Sequence, residues 1–406
     1  MNSVDNQTDV TSSSSSPPME EEISVLKDHL SILTLSYAQP LPTLSLDLIE
    51  EILCRLPVKL LIQLKCVCKS WNALISDPKF AKKHLSMSTS CLVHFLDFSD
   101  VSHRYILRSY PIHSVFNNIT NDFTQYEYPP YDFDGDCPPY RSQINNFCSC
   151  NGILCLISED INFVVLWNPS IRKFKELPPP YQMPELITIS ITCGFGYDPF
   201  IDNYKVVVVL NYYDKHFCVN KTEVKIHTLG TNSWKTIQEF PFGDCTPFEK
   251  SGKFVSGTIN WLFIEDLYRR RESRSFIVSL DLKNDSFQEI LMPGDYGEVA
   301  EMLTLGVMRD WLCLFCGDDV WIMKEYGNEK SWTKLFTISL PPHVRKSDGA
   351  ILVVDFIEDD QVFLSTGMEP YGWELIVYDS KNDMFKISEF HTIPHGMSFE
   401  SLISPC

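Results

Sequence analysis

Cys313 and Cys316 stand at the C-x-x-C spacing with which two thiolates grip one zinc ion. A closed zinc site takes a second pair. Downstream of residue 85 the other close pair is Cys148 and Cys150, at the wrong separation. WLCLFC also reads as a strand, whose i and i+3 side chains point to opposite faces. Gly194-Phe-Gly196-Tyr-Asp-Pro199 has the start of a phosphate-cradling loop, but the third glycine is missing and YKVVVVLNYY follows as a strand. A hairpin or blade turn is the expected reading. Glu358-Asp359-Asp360 could bind calcium or move protons. Lying between AILVVDFI and VFLSTG, it reads as a solvated hairpin turn with no assignable partner. No G-x-S-x-G, H-E-x-x-H or Walker pattern occurs.

Two stretches suit recognition better than catalysis. Arg269, Arg270 and Arg271, with Arg274, form a basic cluster between WLFIEDL and SFIVSL. A hairpin loop is expected there, and contact with an acidic or phosphorylated target is the functional alternative. NDFTQYEYPPYDFDGDCPPY (121–140) sets Tyr126, Tyr128 and Tyr131 among five acids and four prolines. Its prolines oppose a regular strand, and exposed aromatics make recognition anchors. A long connection packed on the surface is the structural alternative.

The elements that carry these residues change character along the chain. Residues 1–18 are polar, Ser-rich and end in Pro-Pro, so disorder is expected; 19–36 could make a short helix. Residues 41–85 read as three helices. Leu48, Ile49, Ile52, Leu53 and Leu56 share one face, with Ser45 as a cap and Pro57 as a break. Val58 to Leu64 form the second helix. Val67, Trp71, Leu74 and Ile75 form a third face that stops before Pro78. This stretch has seven Lys/Arg and four acids, a net +3, against −19 for the 406-residue chain. So few residues cannot bury their own apolar surface, which must be covered by the rest of the chain or by a partner.

From about residue 90 the period becomes that of strands. A hairpin with an aromatic anchor recurs: VVLWNPSIRKFKELP, VKIHTLGTNSWKTIQEFP, IVSLDLKNDSFQEILMP, VWIMKEYGNEKSWTKLFTISLP and LIVYDSKNDMFKISEF. The anchors Phe174, Trp234, Phe287, Trp332 and Phe385 are separated by 60, 53, 45 and 53 residues. That is close to the period of propeller blades, and 86–406 is long enough for about six. CLVHFLDF (91–98) pairing with the C-terminal strand would supply the sixth blade and remove the open sheet edges. A two-sheet sandwich fits the spacing as well.

Composition bounds the partners. Thirty-four Lys+Arg against 53 Asp+Glu argue against nucleic acid and anionic membrane surfaces. MNSVDNQTDVTSSSSSPPMEEE has no secretory pattern, and no apolar run could span a bilayer. The 14 cysteines then read as reduced thiols of a cytoplasmic or nuclear protein.

EEILCRLPVKLLIQLKCVCKSWNALISDPKFAKKHL (50–85) closely resembles the F-box of plant F-box proteins. CNGILCL, LWNPSIRKFKELP, GFGYDPFIDNYKVV, GKFVSGTINWL and SFIVSLDLKNDSFQEILMP resemble the F-box-associated domain of the F-box/kelch-repeat type. One departure is Leu44-Ser45, where that family opens with Leu-Pro. The resemblance implies an α+β multidomain chain. Residues 1–40 would be a linker, 41–85 a three-helix F-box, and 86–406 an all-β, propeller-like domain of about six blades.

It also implies a non-catalytic substrate-recognition subunit of an SCF ubiquitin ligase. Such a subunit needs no cofactor, binds a Skp-type adaptor and through it a cullin, and holds an unknown target protein. By residue match, the adaptor contact or its supporting helices would use Leu53, Leu56, Pro57, Val58, Leu60, Leu61, Val67, Cys68 and Trp71. Cys66 and Cys68 are expected to be packing residues of an F-box helix. The competing readings are a kelch-type propeller enzyme, which needs a metal or catalytic cluster at the ring centre, and an interaction protein that never joins a cullin.

Overall fold

The computed structural model describes residues 45–88, 91–99, 104–127, 144–158, 163–181, 188–213, 219–237, 240–242, 245–247, 249–264, 275–294, 303–308, 310–339, 351–356, 361–368, 372–390 and 394–406. The chain divides into two compact units, Met1–Ile52 and Leu53–Cys406. In the first, Ser45 starts helix α1 (Leu46–Leu53): its Oγ accepts from the Leu48 amide at 3.4 Å and its carbonyl from the Ile49 amide at 3.1 Å.

The second unit continues with α2 (Val58–Leu64) and α3 (Lys69–Ile75). α3 stops before Pro78 as expected, but a further helix, α4 (Pro78–Met87), follows it and corrects the count of three helices to four. A proline lacks only an N–H that the first helical turn would leave unpaired, so it starts a helix as readily as it stops one. Asp77 caps it, its Oδ1 accepting from the Lys79 amide at 2.8 Å. The buried His84 ring on α4 donates from Nε2 to the Leu56 carbonyl at 2.9 Å and so ties α4 to the turn before α2.

Six antiparallel sheets follow. Blade 1 holds β1 (Cys91–Ser99), β2 (Arg104–Pro111), the short helix α5 (Ile112–Phe116) and β3 (Thr124–Glu127). Blade 2 holds β4 (Ile144–Cys150), β5 (Ile153–Ser158), β6 (Phe163–Asn168) and β7 (Lys173–Leu177). Blade 3 holds β8 (Thr188–Asp198), β9 (Asn203–Tyr213), β10 (Val219–Thr228) and β11 (Lys235–Ile237). Blade 4 has an inner strand in two pieces, β12 (Thr246–Pro247) and β13 (Lys253–Val255), both paired to β14 (Thr258–Ile264). Outside them lie β15 (Ser275–Asp281) and β16 (Ser286–Ile290).

Blade 5 holds β17 (Leu303–Met308), β18 (Trp311–Cys316), β19 (Asp319–Met323) and β20 (Trp332–Thr337). Blade 6 holds β21 (Ile351–Phe356), β22 (Gln361–Met368), β23 (Gly372–Asp379) and β24 (Met384–Ile387). The last strand, β25 (Gly396–Phe399), pairs with β1, so the chain's end becomes the inner strand of blade 1. Inner strands of successive blades are neighbours, with β21 beside β25. The ring is a six-bladed propeller closed by the early and late strands together, with β25 covering the inner edge of β1.

Each of the five recurring hairpins is the outer pair of a blade, and three of their turns share one chemistry. Asn168, Asp281 and Asp379 accept from the amide two residues on, at 2.9, 2.7 and 3.0 Å. Four positions after each, Arg172, Asp285 and Asp383 are left-handed, at φ 55°, 52° and 50°. Asp198 and Asp202 repeat the device between β8 and β9. The aromatic anchors fasten blade to blade: Trp234 donates its indole N–H to the Pro178 carbonyl at 2.6 Å, and Trp332 donates to Leu291 at 2.9 Å. Each acceptor lies just past the outer strand of the preceding blade.

Gly194 and Gly196 sit inside β8, not in a turn as their spacing suggests. A Cβ on Gly194 would come within 2.5 Å of the Ile259 side chain and 2.7 Å of the Trp261 ring. These glycines let blade 4 approach blade 3. Cys313 and Cys316 lie on β18, buried in the blades.

Candidate functional site

The sequence places its candidate contacts in the helices, and the structure sorts them by exposure. Leu53, Val58 and Leu61 are buried; they hold the helices rather than face outward. Leu56 and Trp71 are half-buried. Pro57, Leu60, Val67 and Cys68 are exposed, Val67 at 61%. The sequence reading missed further outward apolar side chains: Leu46 and Leu48 of α1, at 69% and 53%, together with Ile52 and, on α2, Ile62. Leu46 and Ile62 lie off the apolar face that was counted, and water-facing leucines and isoleucines in seven- or eight-residue helices are the signal that could have found them.

Cys66 and Cys68 do not pack inside a helix. Both are exposed in the link between α2 and α3, and Cys68 takes the N-cap position of α3. The Ser70 hydroxyl lies 3.1 Å from the Cys68 sulfur, and together with the Trp71 amide it draws the thiol below its usual range. The chain turns between α2 and α3 at these residues, with Cys68 in an extended conformation at the start of α3, which is the physical reason for the correction.

The helical segment of the second unit is fastened to the propeller through α4. Lys82 pairs with Asp202 in the β8–β9 turn, and its ammonium lies 3.4 Å from the Tyr197 hydroxyl and 5.6 Å from that ring's centre. Asp202 also accepts from Tyr197. The pair holds Lys82 above and Asp202 below their ordinary values, each through the hydrogen bond between them. Both are largely exposed, so the contact orients more than it stabilises. Ser88 adds a contact to the Glu400 carbonyl at 3.5 Å.

Of the candidate target contacts, Tyr126 lies on β3 and packs edge-on against Trp167 of blade 2 at 5.9 Å. Burial raises its phenol pKa, and the ring serves the seam between blades 1 and 2. Tyr128, Tyr131, Arg269, Arg270 and Arg271 lie outside the described residues, as do residues 1–40 and the acidic run at 358–360. The described strands fix where the segments 128–143 and 265–274 attach. Antiparallel pairing puts first–second and third–fourth turns on one face of the ring, and the remaining connections on the other. Asp202 belongs to a first–second turn. Residues 265–274 join β14 to β15, and 128–143 join β3 to β4, so both start from the opposite face.

Among the described residues no group of three or more His, Cys, Asp or Glu side chains is arranged to hold a metal, and no helix is long and apolar enough to cross a membrane.

Comparison with known proteins decides the family. The F-box domain matches residues 41–83, and the F-box associated beta propeller domain matches residues 104–401. The chain belongs to the F-box-associated β-propeller family. An F-box/kelch-repeat protein of Arabidopsis thaliana is 33% identical over 327 residues, covering 77% of this chain and 85% of that protein. The Arabidopsis F-box protein CPR1 is 28% identical over 387 residues, covering 89% and 88%. Among solved structures, TolB from Acinetobacter baumannii aligns with a TM-score of 0.42 at 10% identity, over 80% of this chain and 73% of that one, too low to carry an argument. F-box/propeller proteins are typically interaction proteins. Their F-box implies a Skp-type adaptor, and their propeller is left for a target.

Proposed function

We propose that this F-box/propeller chain is the substrate-recognition subunit of an SCF ubiquitin ligase. The F-box, taken as 41–85, docks on a Skp-type adaptor and through it on a cullin. The propeller, taken as 86–406, holds the target protein. The chain makes and breaks no bonds itself. Its contribution is effective concentration, because it keeps a target beside a charged conjugating enzyme. The reading places the protein in the cytoplasm or nucleus, where its thiols stay reduced.

The observation that carries the proposal is the set of large apolar side chains that the short, family-matched helices and the link between them turn to water. Leu60, Ile62 and Val67 are exposed, while Val58, Leu61 and Ile75 of the same segment are buried. Helices this short need an internal core, and they have one; the remaining apolar groups suit a desolvating partner. The target then belongs on the propeller face opposite Asp202, clear of the adaptor side.

The test is co-expression of the full chain with a plant Skp adaptor and size-exclusion chromatography. A one-to-one complex that Val67→Asp abolishes, with the fold retained by circular dichroism, supports the reading. A folded chain that binds no Skp adaptor overturns it. Ubiquitin transfer with reconstituted cullin then separates a ligase subunit from an interaction protein that stops at the adaptor.

A further inference from the structure

The inner strands of blades 2 and 3 bring two thiols into contact. Cys148 on β4 and Cys193 on β8 have their sulfur atoms 2.8 Å apart, and both side chains are buried. That is closer than unbonded sulfurs rest in ordinary packing, and a short way from the bond length of about 2.05 Å. The backbone on both sides is held. β4 pairs with β5 from Ile144 to Cys150, and β8 pairs with β9 from Thr188 to Asp198. Cys193 is also bridged to blade 4: its amide donates to Lys250 and its carbonyl accepts from Gly252, at 2.9 and 2.7 Å. The pair therefore sits where two blades meet near the ring axis, between strands that neither can leave alone.

We propose that Cys148 and Cys193 are a dithiol oxidation site, forming a disulfide between blades 2 and 3 when the protein meets a peroxide. The balance is two thiols plus one hydrogen peroxide giving one disulfide and two waters. In the first step one thiolate attacks a peroxide oxygen, the O–O bond breaks, hydroxide leaves and takes up a proton, and a sulfenic acid forms. In the second step the other thiol's sulfur attacks the sulfenic sulfur, its proton leaves with the departing hydroxyl as water, and the S–S bond closes.

Two features set how the site behaves. Burial pushes the Cys193 thiol up, so thiolate is scarce at neutral pH. Oxidation is therefore slow in the closed ring and accelerates with rising pH. Once formed, the bond is shielded from reductants by the same burial. Cys155 on β5 is the competitor, because it stands directly opposite Cys148 in the strand register. Opposed residues on antiparallel strands lie within the Cα separation a disulfide accepts, so Cys155 is a real competitor, but Cys193 approaches from the adjacent blade with its sulfur already in contact.

The experiment uses the full chain with the exposed Cys66, Cys68 and Cys406 changed to serine, which suppresses cross-linking between molecules. Reduced protein is treated with hydrogen peroxide at pH 7 and pH 8.5, quenched, alkylated under denaturing conditions and mapped by mass spectrometry. The expected result is a peptide pair joined through Cys148 and Cys193 and lighter by two hydrogens. It forms several-fold faster at pH 8.5, is reversed by dithiothreitol after unfolding, persists in Cys155→Ala and raises the apparent Tm by a few degrees. A bond between Cys148 and Cys155, oxidation of the two thiols separately to sulfinic acids, or two thiols that stay fully alkylatable would each overturn it. The mapping is read on protein whose cysteine pair is intact, so it does not depend on whether a Cys148 variant folds.

Discussion

His94 on β1 reaches Ser398 on β25 with 2.7 Å between Nε2 and Oγ, across 304 positions of sequence. Its Nδ1 lies 2.8 Å from Ser109 Oγ on β2. One neutral imidazole thus joins the three strands by which blade 1 is assembled from both ends of the propeller. Burial holds its pKa down to about 3.

Acid should therefore loosen the closure. The unfolded chain takes up a proton on this histidine near pH 6.5, while the folded chain does so only near 3. Stability is full above 6.5 and falls as the pH drops towards 3, by about 2 kcal/mol at pH 5 from this group. Thermal unfolding of wild type and His94→Gln between pH 7.5 and 5 is the check. The variant starts lower and loses less with acid. Equal slopes would remove the histidine from the explanation.

Lys205 should be costly to lose. Its ammonium is buried between Asp198 and Asp285, at 3.1 Å from each, and also donates to the Leu282 carbonyl. Lys205→Met leaves the 1% exposed Asp198 side chain without its cation, a loss of about 3–5 kcal/mol. Denaturant midpoints at constant slope measure it. Adding Asp198→Asn should recover part of the loss.

The two indole clamps should be equal and independent. Trp234→Phe and Trp332→Phe each keep a ring and drop one hydrogen bond, at about 1 kcal/mol apiece. They serve separate seams, so the double variant should lose the sum. A large coupling between them in a double-mutant cycle would mean that the ring transmits strain from seam to seam.

Adaptor binding and folding should separate along the F-box. Leu61→Ala opens a hole in a fully buried position and costs about 2–5 kcal/mol of stability. Leu60→Ala and Val67→Ala change little in Tm, yet weaken adaptor binding about tenfold or more if each is an interface anchor. Calorimetric titration with a Skp adaptor distinguishes the two sets.

The hairpin repeat and the pairing of residues 91–98 with the C-terminal strand were legible because blades repeat a local chemistry: an Asx turn, a left-handed residue, an aromatic and an apolar-Pro. The cap at Ser45 was legible for the same reason. Pro78 correctly marked the end of α3 but concealed the start of α4, because proline is compatible with both helix boundaries and the Asp77 cap is what reveals the second. Gly194 misled because the need for a missing Cβ arises from Ile259 and Trp261, distant in sequence. Exposure was the least legible quantity. A helical period names an apolar face, but it cannot separate Leu61, which is buried, from Leu60, which is not. The Cys148–Cys193 contact was hidden for a related reason: the two residues belong to different blades, and no local pattern relates them.

The pairing of β1 with β25 also has a meaning in time. A ribosome delivers β1 among the first propeller strands and β25 only at the end, so the inner edge of β1 stays unsatisfied while the intervening five blades are made. Contacts so distant in sequence form slowly, and a waiting strand edge invites false pairing. A chain cut short before Gly396 has no strand with which to shut the ring. The ring thus shuts only after residues 396–399 have been made, and until then the inner edge of β1 has no partner.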